Sequence, residues 1–355
     1  MRVLPPARRL VSAFGLRFRS MDFEIVPGRS TDGYIERLPP EGWKPYPDTS
    51  KAVGKRQPFD WNQHYYSERF PGRIITTDFY RNLVAIANYA KITPLDRVAC
   101  LEICRELAAV AKANSVMRNG ARFFKQKYAF DSDGDYLAPG WVSGISTGFI
   151  IRGLCRVQEV MPDAEIRLLM HEFARAFTII DTAAAPAGRP WFSFRDDAGY
   201  LWFEEKPHDE SHRSHILNGH IHALLALYHY RDHCREAWVD RLLRASIATV
   251  FNYVERYRVP GNINRYDLFT GYKADYAPKR TVRQQRDLAA ITKQPFFKRM
   301  ARVFQSDYDA ALVSAAGKTI TTGRRARPHF KWQGTEEKVR GDLENLDTVQ
   351  SEAFA

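Results

Sequence analysis

The chain is expected to fold as a mainly α protein, an incomplete α/α toroid of helical hairpins with an irregular or short-β N-terminal arm and short strands in its long loops. Three observations predict this. Apolar residues recur at helical spacing through most of residues 79–305, strand-like alternation is scarce, and two inter-helix stretches, 181–213 and 256–281, are long enough to carry function or short strands of their own. Helical hairpins placed side by side can close into a toroid whose loops line a central cleft.

Taken in order, residues 1–75 form the arm. Its first part holds Arg2, Arg8, Arg9, Arg17 and Arg19, no acid, and no uninterrupted apolar stretch, so it is a poor secretory signal. Two readings stay open there, a transit-peptide-like composition and a true start at Met21. Residues 22–75 are rich in Pro, Gly, aromatic and charged residues and predict irregular structure with one hairpin around Tyr65 to Thr77. The body, 76–313, holds expected helices at 79–91, 95–113, 142–159, 163–180, 214–230, 236–255, 282–292 and 294–305. The clearest is 163–180, where Ile166, Leu169, Met170, Phe173, Phe177 and Ile180 share a face and Asp163, after Pro162, is a start signal. Residues 314–355 are polar, basic at Arg324, Arg325 and Arg327 and acidic from Glu336 onward, which predicts a disordered tail. No internal repeat is evident, and no apolar run reaches transmembrane length.

With 355 residues and a formal charge of +12, the chain can bury a sizeable core and present a surface that attracts polyanions. Paired zinc ligands and the glycine-aromatic signature of an RNA-recognition sheet are both missing, so nucleic acid is not the expected partner, while an anionic polysaccharide fits the charge. Cys100, Cys104, Cys155 and Cys234 read as reduced, mostly buried thiols, which with the poor export signal points to the cytoplasm.

Seven of the ten histidines lie between His208 and His233. The pairs His208/His212 and His229/His233 have a spacing that puts two imidazoles on one helical face, but there is no His-Glu-x-x-His pattern and no third ligand, so no metal is expected. Asp131-Ser132-Asp133-Gly134-Asp135 begins like a calcium loop, but its glycine is misplaced and the distal glutamate is absent; a turn with solvated acids is expected instead.

Chemistry is carried by two segments about fifty residues apart. The first is Phe203-Glu204-Glu205-Lys206-Pro207, followed by Ile216-Leu217-Asn218-Gly219; the second is Asn264-Arg265-Tyr266-Asp267-Leu268, followed by Ala274-Asp275-Tyr276. Ahead of both stands Leu137-Ala138-Pro139-Gly140-Trp141-Val142-Ser143-Gly144. Together, over about residues 128–305, these segments resemble the C-terminal catalytic domain of the heparosan/heparan glucuronyl C-5 epimerases. The Trp-x-Ser entry to a helix, the Leu-Asn-Gly helix through Leu224, Leu227 and Tyr228, the Tyr-Asp-Leu turn and the Asp-Tyr ending occur in the family's order. The resemblance implies an α/α toroid, a uronic-acid glycan as substrate, no cofactor and a homodimer.

The implied reaction takes a proton from the carbon beside a carboxylate. That proton is barely acidic unless the carboxylate is neutralised or strongly bound, so that an enediolate can form. A base on one sugar face and an acid on the other are then needed. Carried across by position, the catalytic candidates are Glu205, Tyr266 and Tyr276, with Lys206 standing where the family has a tyrosine. Next to Glu204 and Glu205, which would raise its pKa, that lysine suits carboxylate binding better than base chemistry. Trp141, Ser143, Glu204, Asn218, His220, Arg265 and Arg280 are the expected substrate-binding residues, and His222 is a further histidine that could line the cleft. Two more departures are Ser146-Thr147-Gly148-Phe149 in place of a glutamine-rich turn, and Arg280-x-x-Arg283 in place of His-x-x-His. The reading is therefore an epimerase inverting C-5 of a hexuronic acid, with a uronate lyase or a silent glycan-binding protein as alternatives.

Overall fold

A computed structural model of the protein describes residues 73–132, 135–181, 190–208, 213–271 and 277–322. The rest of the N-terminal arm and the last part of the expected tail lie outside these residues, as does most of the hairpin expected around Tyr65 to Thr77; Thr76 and Thr77 themselves open the first helix.

The described residues form helices α1 (Thr76–Ile92), α2 (Arg97–Ala113), α3 (Gly144–Val160), α4 (Ala164–Arg175), α5 (Leu217–Tyr230), α6 (Ala237–Tyr253), α7 (Ala277–Thr292) and α8 (Pro295–Thr322). They pair as hairpins, α1 with α2, α3 with α4, α5 with α6 and α7 with α8, while α1, α3, α5 and α7 also pack on one another in series. This is an incomplete α/α toroid, with the odd-numbered helices inside and the even-numbered ones outside.

The sequences explain the division. Nearly every residue of α3 through Gln158 is buried, as is α5 apart from His229, and a helix apolar all round must have neighbours all round. Outer helix α4 instead buries one stripe, Ile166, Leu169, Met170, Phe173 and Ala174. Asp163 caps it as expected, accepting the Ile166 N–H at 2.9 Å, and also takes the Arg105 guanidinium of α2 at 2.7 Å. Gly148 lets α3 lie directly on α5, because a Cβ there would sit 3.3 Å from both the Ala223 Cα and the His222 carbonyl oxygen. All four cysteines are buried free thiols. Among the described residues no helix is long and apolar enough to cross a membrane.

Three small sheets complete the fold. Strands β1 (Ser115–Arg118) and β2 (Ala121–Phe124) form a hairpin around Asn119 and Gly120, both at positive φ (51° and 75°). Asn-Gly favours this turn, a signal present in the sequence but absent from the expected elements. Strands β3 (Phe130–Ser132) and β4 (Asp135–Leu137) pair antiparallel, so the acid-rich segment is a second hairpin. The third sheet, in order β5 (Ile180–Asp181), β6 (Ser193–Arg195), β7 (Leu201–Phe203), supplies the short strands expected in the first long loop.

Helix α7 begins at Ala277, ahead of the expected 282, and two helix ends differ as well. The helix expected over 163–180 ends at Arg175, continues as a 3₁₀ turn over Ala176–Thr178 and passes Ile180 into β5; the β-branched run Thr178-Ile179-Ile180 favours extended backbone. Helix α8, expected to stop at 305, runs to Thr322 and takes in the start of the expected tail. Its second half has no apolar stripe to read: Leu312 and Val313 are 51% and 73% exposed, and the alanines around them sustain the helix by propensity.

Candidate functional site

The end of β7 is attached to the start of α3. The Glu204 N–H donates to the Phe192 carbonyl at 2.6 Å, the Gly144 N–H donates to the Glu204 carbonyl at 2.9 Å, and the Ser143 hydroxyl donates to the Glu205 carbonyl at 2.6 Å. Glycine is required at 144, since a Cβ would stand 2.9 Å from the Glu204 carbonyl oxygen. Ser143 thus holds the glutamate pair in place through the backbone.

The two glutamates then diverge. Glu204 is 1% exposed, and its Oε1 accepts the His215 N–H at 3.0 Å. Burial pushes this carboxyl up to about 8, against the opposing effects of the His215 hydrogen bond and Arg213. Glu205 turns to the Tyr266 loop, where its Oε1 accepts the Tyr266 hydroxyl at 2.8 Å. Its Oε2 has no hydrogen-bond partner among the described residues and lies over the first turn of α5. A Cβ on Gly219 would come within 2.4 Å of the Glu205 Cβ and 2.7 Å of Oε2, so that glycine makes room for the carboxylate.

Tyr266 is brought to Glu205 by a loop with no regular strand. The Arg265 N–H donates to the Tyr257 carbonyl at 2.8 Å, the Leu268 N–H donates to the Ser214 carbonyl at 3.2 Å, and the Tyr257 hydroxyl donates to the His215 carbonyl. Asp267, buried, accepts the Thr270 N–H at 2.6 Å and its hydroxyl at 2.7 Å, closing the turn that follows Tyr266. Residues 213–216 are therefore the bracket between the two motif segments, held by the Glu204 carboxyl on one side and the Tyr266 loop on the other.

Lys206 lies over two rings, its Nζ 4.1 Å from the centroid of Phe130 and 5.6 Å from that of Tyr266. Trp141 meets Phe130 at 6.1 Å and Tyr128 edge-on at 5.6 Å, and its indole N–H donates to the Tyr128 carbonyl at 3.0 Å. The Arg73 guanidinium covers the far side of Tyr128 at 4.3 Å. Phe130, Tyr128 and Arg73 were not among the expected site residues. The β3–β4 hairpin that carries Phe130 had been read as solvated acids, and Arg73 fell in the arm.

Of the expected residues, the structure brings together Glu205, Lys206, Tyr266, Trp141 and Ser143, with Glu204 directly behind them. Asn218 also lies at this end of α5, its Oδ1 accepting the Gln284 amide of α7 at 2.9 Å. His220 does not belong to the cleft. It is fully buried, its Nδ1 accepts the Phe203 N–H at 3.0 Å and its Nε2 faces the Ser246 carbonyl at 3.0 Å, so both nitrogens are committed to backbone. Burial holds this imidazole down to about 4. Arg265 is exposed and turns back to the Arg256 carbonyl at 2.7 Å, while its neighbours Asn264 and Tyr266 are buried. Arg280 stands on α7 with Arg283, close enough to His222 to add to the burial that keeps that imidazole neutral. Tyr276 lies outside the described residues, as does His212 of the histidine pairs. Among the described residues no group of His, Cys, Asp and Glu is placed to hold a metal ion.

Comparison with known proteins agrees with this geometry in one respect that is decisive for family. No curated protein sequence matches the chain. Similar solved structures are cellobiose 2-epimerase from Bacillus thermoamylovorans B4167, at 10% identity and a TM-score of 0.47 over 65% of this chain and 58% of that one, and cellobiose 2-epimerase from Spirochaeta thermophila DSM 6192, at 12% identity and a TM-score of 0.43 over 64% and 57%. Unsaturated glucuronyl hydrolase from Bacillus sp. GL1 is similar at 11% identity and a TM-score of 0.39 over 67% and 62%. The chain spans less than two thirds of each of these proteins. Residues 118–306, more than half of the chain and the stretch that holds Trp141, the glutamate pair and Tyr266, match the family described as the D-glucuronyl C5-epimerase C-terminus, and the chain belongs to that family.

Proposed function

We propose that the protein inverts C-5 of a hexuronic acid within an anionic glycan, removing the C-5 proton from one face and returning a proton to the other. The observation that carries this reading is the 2.8 Å hydrogen bond from the Tyr266 hydroxyl to Glu205, with the Lys206 ammonium beside the same ring. A phenol joined to a carboxylate can pass its own proton on while it takes one from carbon. Lys206 binds the substrate carboxylate as a point charge, which lowers the cost of the enediolate. Phe130 and Trp141 give the edge of the sugar ring an apolar support, and Ser143 acts through the backbone by positioning Glu205. The net positive charge of the chain favours polyanionic substrates.

The test is solvent deuterium incorporation at C-5 of heparosan, chondroitin and alginate chains, with wild type beside Tyr266→Phe. Deuterium that enters only with wild type, together with the opposite epimer, supports the reading and identifies the sugar. Exchange with none of these chains overturns it, and a new ultraviolet-absorbing double bond would replace it with an elimination.

A further inference from the structure

Inversion needs two proton carriers, one for each face of the sugar. Glu205 and Tyr266 are hydrogen-bonded to each other and act as one unit, while Lys206 lies on the aromatic floor between rings. We infer that Tyr128 is the second carrier, the group that delivers a proton to the face opposite Tyr266. This rests on the epimerase reading above.

The geometry supporting this is a continuous run of ring contacts. Tyr128 packs edge-on against Trp141, Trp141 against Phe130, Phe130 beneath Lys206, and Lys206 beside Tyr266. The Glu205 carboxylate is hydrogen-bonded to Tyr266 and also acts electrostatically on Tyr128. The two tyrosines therefore stand at the two ends of one aromatic run, both within the field of the same carboxylate, and a sugar resting on that run by its edge has one tyrosine towards each face. Their scaffold is shared as well. The Gln126 N–H donates to the Trp141 carbonyl at 2.8 Å and the Gly140 N–H to the Gln126 carbonyl at 2.6 Å, which ties the strand leading to Tyr128 to the segment ending at Ser143. Ser143 holds the Glu205 carbonyl. Proton carriers fixed to one rigid point keep their spacing when substrate enters.

The electrostatics suit a donor. Burial, with the Glu205 charge added, pushes the Tyr128 phenol up while Arg73 pulls it down, so it rests protonated near neutral pH. The step balances as follows. The C-5–H bond breaks, its electron pair moves into the substrate carboxylate as an enediolate, and the proton goes to the Tyr266 oxygen as Tyr266 passes its own proton to Glu205. The Tyr128 O–H bond then breaks, its proton forms the new C-5–H bond with the enediolate electron pair, and the phenolate left behind is stabilised by Arg73. Water resets the site by reprotonating Tyr128 and accepting the proton held on Glu205.

The experiment separates exchange from inversion. Full-length wild type, Tyr128→Phe, Tyr266→Phe and Tyr276→Phe are incubated in D₂O with heparosan and with its C-5-epimerised form, whichever uronate glycan responded above replacing heparosan. Deuterium is read separately in the two epimers. Tyr128→Phe keeps the ring against Trp141 and Arg73 and is expected to lose inversion by about 10²-fold or more while still exchanging deuterium into one epimer. Arg73→Gln, which leaves the phenol in place, slows inversion more than that exchange. Inversion by Tyr128→Phe within about tenfold of wild type overturns the inference for an acid-base role of this kind. So does loss of exchange into both epimers, which marks a positioning residue, and so does single-epimer exchange in Tyr276→Phe with Tyr128→Phe unaffected. A wild type that exchanges nothing defeats the epimerase reading itself, a result distinct from these.

Discussion

Two groups of buried polar side chains lie side by side in this protein and behave differently. Around His220 every ring nitrogen is spent on backbone, at the Phe203 N–H and the Ser246 carbonyl, and Thr249 donates to carbonyls of both β7 and its own helix. Around Glu205 the bonds stop short: Oε1 has Tyr266, while Oε2 is buried without a partner among the described residues. A satisfied polar group stabilises one arrangement of chain, whereas a buried acceptor left open has a cost of roughly 1–3 kcal/mol that a ligand can recover. The first group therefore reads as framework, and the second is the one that the proposed function gives to substrate. Residue type did not separate them, since a histidine and a glutamate are equally plausible proton carriers.

The sharpest way to break the comparison is at Tyr266. Tyr266→Phe removes the hydroxyl that meets Glu205, and turnover should fall about 10²–10⁴-fold while thermal unfolding barely moves. His220→Ala should do the reverse. It strands the Phe203 N–H and opens a cavity, for a loss of about 3–4 kcal/mol in denaturant unfolding, with activity following the folded fraction. If His220→Ala instead abolished turnover at full stability, the division between framework and cleft would be wrong.

Smaller effects sharpen it. Gly219→Ala places a Cβ 2.4 Å from that of Glu205, so the carboxylate must shift. The Glu205 Cβ is fixed to its backbone, so the chain itself must yield: stability should fall by about 1–3 kcal/mol, and a displacement of about 1 Å predicts a further loss of about 10²-fold in kcat of the folded enzyme. Gly148→Ala pushes on backbone at the α3–α5 contact and should destabilise by about 1–3 kcal/mol, with kcat nearly unchanged in the folded enzyme. The smallest effect is one of slope. Glu204 is protonated in the fold up to about 8 but only to its ordinary 4.5 when unfolded. Between those values the folded state binds the extra proton, so stability falls as pH rises through this window and levels off above it. Denaturant titrations from pH 5 to 9 should show a shallower decline for Glu204→Gln. The buried His220 works oppositely, its stabilisation being lost as pH falls from 6.5 towards about 4.

Much of this was legible in the residues themselves. Periodic apolar positions located where each hairpin helix begins to within about five residues, because a buried face must repeat with the turn of the helix. Where burial was not the cause, legibility failed. The second half of α8 has no stripe to read, and the hairpin at Asn119-Gly120 depends on turn chemistry instead of periodicity. Trp141, Ser143, Glu205, Lys206 and Tyr266 could be named in advance because they stand at the motif positions that resemble the epimerase family, and the fold brings them together.

What the sequence alone determined is thus the helical class, the family and the kinds of chemistry available. The tertiary structure alone decided which of two adjacent glutamates meets Tyr266, that both His220 nitrogens face backbone, that Arg265 turns outward, and that Phe130 and Tyr128 pack on Trp141. The reason is physical. Periodicity and residue type depend on near neighbours along the chain, whereas burial, hydrogen-bond satisfaction and the field at a carboxylate depend on groups far away in it: Tyr266 and Glu205 are 61 positions apart and meet at 2.8 Å only after α3, α5 and the loop before α7 have packed.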